Sequence, residues 1–165
     1  FRMSGDGRED PSIGVSSIPI SGLMGDLRVT YGVGGAVPGD RIVGVLTNDE
    51  GIRIFQIHSP QLMAFEHEKW IDVTWDVDPN SSERFPARIK ITALNAPGSL
   101  AEIAQLIGAA DGNIDHLRMV ERGRDFTEMR IEVEVWDLDH LNHILNGLKS
   151  KGVVNSAERV FGEGK

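Results

Sequence analysis

Asn95-Ala96-Pro97-Gly98-Ser99-Leu100 joins a stretch that alternates to a stretch that repeats every three to four residues. Upstream, Ala87, Ile89, Ile91 and Ala93 are apolar at every second position, which predicts a strand over 85–94. Downstream, Leu100, Ile103, Ala104 and Ile107 fall at i, i+3, i+4 and i+7, the core face of a helix predicted over 99–110. Between them Pro97 fixes its own φ and disfavours helix before it, while Gly98 admits angles or close approaches that a Cβ would block. Ser99 and Glu102 fit the S-x-x-E capping box, so the helix is predicted to begin there. Backbone N–H groups at such a helix start are unpaired and can hold a carboxylate.

Asp111-Gly112 is a C-terminal stop for that helix, and a second strand follows over 113–122. Gly123-Arg124-Asp125 reads as a hairpin turn. From Thr127 to Trp136 the alternation is clean. Met129, Ile131, Val133 and Val135 share one face, and Arg130, Glu132 and Glu134 the solvated other. Asp137 can cap a second helix with a core stripe of Leu138, Leu141, Leu145 and Leu148, which Gly152 ends. Val153 to Phe161 is the last strand. The order is β-α-β-β-α-β, an α+β ferredoxin-like arrangement in which both helices cover the one apolar face of a four-stranded antiparallel sheet. The other face stays polar or becomes an interface.

Ahead of this unit the signals are shorter. Residues 1–16 are rich in Gly, Ser and Asp without apolar periodicity and read as a flexible linker. Residues 17–69 read as a small β-rich module. Ile18, Ile20 and Leu23 lead into a strand at 26–31, Ile42–Leu46 and Ile52–Ile57 are two more, and Pro38-Gly39 and Asn48-Asp-Glu-Gly51 are turns. Ser59-Pro60 opens a short helix with Pro60 in its first turn. Lys69 to Asp76 reads as one strand with Trp70 and Trp75 on opposite faces. The boundary to the larger unit, 70–165, falls between about 67 and 83, where Asp78-Pro-Asn-Ser-Ser82 is a loop.

Composition narrows the function. The 165 residues carry a net charge of −8, which argues against broad attraction to nucleic acid or anionic membrane. Neither part is basic: residues 17–69 hold four Lys/Arg against six Asp/Glu, and 70–165 eleven against sixteen. Zero cysteines rule out disulfides and thiolate zinc sites, and a cytoplasmic protein with no cofactor is the simplest reading. No apolar run approaches a membrane span. The chain begins at Phe1 rather than Met and reads as a piece of a longer protein.

Several motifs invite chemistry and do not carry it. Asp115-His116 has no nucleophile or second base with a motif around it, so no catalytic residue is assigned. His140 and His143, at i and i+3, read as a solvated helix face. Gly32, Gly34 and Gly35 lack the Lys-Ser/Thr of a phosphate loop and read as a flexible turn. The three Trp residues stand in acidic surroundings, which points to core or interface rather than base stacking.

The β-α-β-β-α-β order, opened by Asn95-Ala-Pro-Gly-Ser-Leu100 and followed by Asn113-Ile114, resembles ACT domains. Such modules bind amino acids, usually at a dimer interface. Pro19-Ile-Ser-Gly-Leu23 followed by Val37-Pro-Gly-Asp-Arg-Ile-Val-Gly44 is similar to the region before the ACT domain in RelA/SpoT homologues, the bifunctional (p)ppGpp synthetase/hydrolases. The resemblance covers residues 17–161. It implies an amino-acid site built from Asn95, Ala96, Pro97, Gly98, Ser99, Leu100, Asn113 and Ile114. Backbone N–H groups near Gly98 to Leu100 would take the carboxylate, and oxygens of Asn95 and Asn113 the ammonium. Ile114, Leu117 or Leu100 would form an aliphatic wall, which favours valine, isoleucine or leucine. It further implies a homodimer through the ACT domain, catalytic domains elsewhere in the parent enzyme, and the ribosome as a partner of the full-length protein. The other reading is a ribosome, tRNA or intramolecular interaction module without a small ligand. Many relatives carry zinc ligands in the first module. The matching positions here are Val33, Gly34, Phe55 and Ser59, which cannot bind zinc as thiolate or imidazole, so no metal is expected.

Overall fold

The computed structural model describes residues 20–21, 28–47 and 51–161, with the side chains of Ile20, Ser21 and Glu68 set aside. Its elements run β1 (Ile20–Ser21), β2 (Arg28–Tyr31), β3 (Ile42–Thr47), β4 (Gly51–Gln56), β5 (Trp70–Ile71), β6 (Thr74–Trp75), β7 (Phe85–Leu94), α1 (Ser99–Ala109), β8 (Asn113–Arg122), β9 (Phe126–Val135), α2 (Leu138–Lys149) and β10 (Val154–Val160). The linker read over 1–16, the turn at 48–50, the start of the strand at 26–27 and the tail after Phe161 lie outside the described residues.

The larger sheet has the order β10-β7-β9-β8 with every neighbour antiparallel. This is the ferredoxin-like arrangement that the alternation predicted. Period-two patterning sends Ala87, Ile89, Ile91 and Ala93 of β7, and Met129, Ile131, Val133 and Val135 of β9, to one face, where none exceeds 2% exposure. Both helices cover that face with Ile103, Ile107, Leu141, Ile144, Leu145 and Leu148. Each large aliphatic so buried contributes roughly 1.5–3 kcal/mol against leaving it in water. Asp137 caps α2 as expected, its carboxylate accepting from the His140 N–H at 2.8 Å.

Three expectations for this unit give way. The capping box does not form. Gly98, at φ 88°, holds the N-cap position of α1 without a side-chain bond, and Ser99 is the first helical residue, turned into the protein at 4% exposure. Leu100 is 38% exposed rather than core, because Ser99, Ile103 and Ile107 take the inward positions. Ile144 joins the stripe of α2, while Leu138 only packs at its edge. The polar face is also not uniformly wet: Arg130 is 5% exposed and reaches Glu128 at 3.5 Å.

The first part builds a second sheet, β2-β4-β3-β5, in which β2 and β4 are parallel and the other pairs antiparallel. Buried residues line both of its faces: Ala36, Ile52, Ile54 and Val73 in one cluster, Val43, Val45, Phe55 and Leu62 in another. Pro60–Ala64 form a 3₁₀ turn capped by Ser59, so the short helix is real but tighter than α. Lys69–Asp76 is not one strand. Trp70–Ile71 pairs with β3, whereas Thr74–Trp75 pairs with β1 in a separate two-stranded ribbon.

The two parts share a core. Val37 is fully buried in the main cluster, and Trp75 packs against it with an edge-on contact to Phe85, ring centres 5.5 Å apart. Read as a flexible turn, the Gly32–Gly35 loop is pressed against the larger unit instead. A Cβ at Gly35, whose φ is 74°, would run into the Pro86 carbonyl, and one at Gly34 would come within 2.8 Å of the Phe161 backbone.

Candidate functional site

Where β7 passes into α1, the chain leaves an open cleft of about 360 Å³ lined by Leu94, the whole Asn95–Leu100 turn, Met119, Arg122, Thr127 and Met129. The turn is held from both sides. The Asn95 N–H donates to the Asp125 carbonyl at 2.8 Å, and its side-chain amide donates to the Gly123 carbonyl at 2.9 Å. That fixes which way the amide points: Nδ2 is committed to the hairpin, and Oδ1 is the end left to accept. Ser99 N–H bonds back to Ala96 and Glu102 N–H to Gly98, so the turn closes directly into the helix. The N–H groups of Leu100 and Ala101 have no partner among the described residues, as expected at a helix start.

Ser99 adds a feature its neighbours lack. It lines the cleft, is 4% exposed, and its Oγ is buried with no hydrogen-bond partner among the described residues. A hydroxyl in that state forfeits about 1–3 kcal/mol unless something bonds to it. Helix-start N–H groups, the Ser99 hydroxyl and the Asn95 Oδ1 together provide donors for a carboxylate and an acceptor for an ammonium. The apolar wall comes from Leu94, Leu100, Met119 and Met129.

The larger unit matches the family model for the ACT domain over residues 81–159, and the first part matches that for the RelA/SpoT RIS domain over residues 18–76. The chain belongs to the RelA/SpoT-homologue family. It is 55% identical over 154 residues to the GTP pyrophosphokinase rsh of Brucella ovis, covering 92% of this chain and 20% of that protein. It is 26% identical over 155 residues to the bifunctional (p)ppGpp synthase/hydrolase RelA of Mycobacterium tuberculosis, covering 93% and 20%. The chain thus spans about a fifth of the length of these relatives. The crystal structure of the ACT domain from a Chlorobium tepidum GTP pyrophosphokinase aligns with 47% of this chain and all of that one, at 22% identity and a TM-score of 0.42.

Within the ACT domain, Asn95 through Leu100 stand together, but Asn113 and Ile114 do not join them. β8 runs from Asn113, opposite Glu134, to Arg122, opposite Thr127, so nine residues separate Asn113 from the cleft end. That is about 30 Å of strand. Asn113 instead donates to Glu134 Oε1 at 2.9 Å, and Ile114 and Leu117 pack on the core rather than forming the wall. The residues that sequence reasoning missed are Met119, Arg122, Thr127 and Met129. Thr127 and Met129 reach the cleft on β9, paired with the turn's own strand β7, and Met119 and Arg122 on β8, paired in turn with β9, relations visible only once register is known.

The end of the ACT domain that carries Asn113 is organised by a different network. Asp111, at φ 69°, accepts from the Trp136 indole at 2.9 Å and from Arg84 at 3.2 Å, and Arg84 stacks on Trp136 at 4.3 Å. These bonds, the Trp136 one foremost, hold the Asp111 carboxyl below its ordinary range. His140 belongs here and is not solvated surface. Its Nδ1 accepts the Trp136 N–H at 3.0 Å, which leaves Nε2 to donate to the Ala110 carbonyl at 2.7 Å. His143 is exposed at the rim of the groove between α1 and α2.

In the RIS domain, Phe55 and Ser59, two of the positions that the resemblance matched to zinc ligands, are taken up by packing and capping. Phe55 is 2% exposed, meets Phe65 in a tilted contact with ring centres 5.6 Å apart and closes on Gly32, while Ser59 caps the 3₁₀ turn. Among the described residues no group of three His, Asp or Glu could hold a metal ion. No helix of the described residues is long and apolar enough to cross a membrane.

Proposed function

We propose that this chain is the amino-acid-sensing region of a cytoplasmic (p)ppGpp synthetase/hydrolase. It holds a branched-chain amino acid in the Asn95–Leu100 cleft and has no catalytic residue of its own. The observation that carries the reading is the Ser99 hydroxyl, buried and, among the described residues, without a partner, beside helix-start N–H groups that likewise have none there. A ligand carboxylate would satisfy both. The Leu94, Leu100, Met119 and Met129 wall suits an aliphatic side chain, and Arg122 at the rim adds a cation for the carboxylate.

Asn113 and Ile114 take part through a second copy. β8 is an edge strand, most of it exposed, and an edge recruits another strand. Antiparallel pairing of β8 with the β8 of a second copy brings that copy's Asn113 beside Arg122 of the first, at the cleft. A homodimer therefore completes two equivalent sites. Binding then favours one arrangement of the parent enzyme over another by no more than its difference in affinity for the two.

Calorimetric titration of the chain with valine, isoleucine, leucine and a panel of other amino acids tests this. Heat from a branched-chain ligand is expected, together with tighter dimerisation in sedimentation. Silence from every amino acid at millimolar concentration overturns the reading and leaves the interaction-module alternative, with ribosome or tRNA as partner.

A further inference from the structure

Asp40 and Arg159 lie 119 residues apart and form a two-pronged ion pair, Oδ1 and Oδ2 each 2.8 Å from a guanidinium nitrogen. It spans the RIS and ACT domains and is almost dry, the two side chains being 1% and 11% exposed. A pair this buried loses much of its hydration, which is repaid only when geometry is good and the remaining acceptors are filled. Here they are. Asp40 Oδ2 also accepts the Val37 N–H at 2.8 Å, and the Asp40 carbonyl takes the Trp75 indole N–H at 3.1 Å.

The same tetrapeptide makes three more ties. The Pro38 carbonyl accepts the Leu138 N–H at 2.8 Å, satisfying a donor that the first turn of α2 would otherwise leave unpaired. Gly39, at φ 104°, lets the turn sit so close that a Cβ would come within 2.9 Å of the Leu138 Cβ. Val37 drops into the ACT core. Against this, the RIS domain has little of its own: two clusters of four buried residues each among the described residues, beside eighteen in the main cluster. So small a core is marginal alone.

We propose that the Val37–Asp40 turn is the socket through which the ACT domain holds the RIS domain folded and in one orientation, with Arg159 as its key. Two consequences follow. The RIS domain is a dependent unit, and any shift of α2 or β10 is delivered to it directly. This does not rest on what the cleft binds.

Hydrogen exchange on the whole 165-residue chain decides it. In Arg159→Met, the amides of β3 and β4 are expected to exchange about a hundredfold faster, while those of β7 and β9 keep their protection. Arg159→Lys, which keeps the charge but loses the fork, should fall between. Unchanged protection in β3 and β4 in both variants overturns the proposal. So does equal loss in β7 and β9, which would make Arg159 a core residue of its own domain. If Arg159→Met does not fold, Asp40→Asn removes the charge from the other side and is read the same way.

Discussion

The Asn95 side-chain amide donates to the Gly123 carbonyl at 2.9 Å, tying the β7–α1 turn to the β8–β9 hairpin and leaving Oδ1 as its free end. The contact gives one residue two separable jobs. Asn95→Ala removes both the brace and the proposed acceptor, and should cost about 1 kcal/mol of stability as well as ligand affinity. Asn95→Asp sets a carboxylate oxygen against the Gly123 carbonyl, so it should destabilise more while keeping an acceptor. Urea unfolding beside calorimetric titration separates the two. Equal stability of Asn95→Ala and wild type would remove the bracing role.

Glycine substitutions should sort by cause. At Gly98 an added Cβ meets nothing within 4 Å, so only the left-handed φ opposes it and Gly98→Ala should cost about 1–2 kcal/mol. At Gly35 the φ is equally adverse and the Cβ also strikes the Pro86 carbonyl, so Gly35→Ala should cost clearly more. Thermal unfolding of the two variants checks the order. A Gly98→Ala loss equal to that of Gly35→Ala would contradict the geometry. For Gly98, ligand loss should come from a bulky side chain projecting into the cleft rather than from crowding within the fold.

What the sequence made legible follows local periodicity. β7 and β9 are readable to within a residue because alternation over ten residues admits one register, whereas β8 is bounded only by the turns at its two ends, and its pairing with β9 shifts register twice. Periodicity cannot say which edge of an apolar stripe faces inward, and so it points to Leu100 in the core and Ser99 at a cap. It also let Lys69–Asp76 pass for one strand, since a run of eight does not show that Trp70 and Trp75 serve different sheets. Within one chain Asn113 stands at the end of the sheet away from Asn95, for a reason the order already contains. A helix that starts at one end of the sheet and runs its length delivers the next strand at the other end. Asp40 and Arg159 left no signal, because each looks like an ordinary surface charge until the two domains meet.

Asp111 predicts an acid response. Its carboxyl sits below the ordinary range because the ionised form accepts from Trp136 and Arg84. A depressed folded value means the bonds contribute fully above the unfolded value, near 3.9, and are lost as pH falls through the lower folded one. The Trp136 indole proton resonance, followed by NMR, should therefore move with a midpoint below that of an ordinary Asp. Asp111→Asn should abolish the midpoint. Because Asp111 is on the surface, raised salt should pull the midpoint back toward the usual value.

Tyr31 predicts an alkaline one, and it is the single tyrosine of the chain, so its absorbance is unambiguous. Burial, with a smaller push from the Glu83 charge, raises its hydroxyl well above the ordinary value. Burial likewise raises Glu83 itself. For a group raised in the folded state, the favourable term is intact below the unfolded value near 10 and drains away as pH rises beyond it. Spectrophotometric titration should thus show little tyrosinate near pH 11 while circular dichroism is native, and then a joint transition in which ionisation and unfolding of the RIS sheet coincide. Glu83→Gln should leave most of the elevation in place, since burial is its larger cause. Ordinary ionisation near pH 10 in the folded chain would mean that Tyr31 is hydrated, and that the Gly32–Gly35 loop does not lie against β7 in solution.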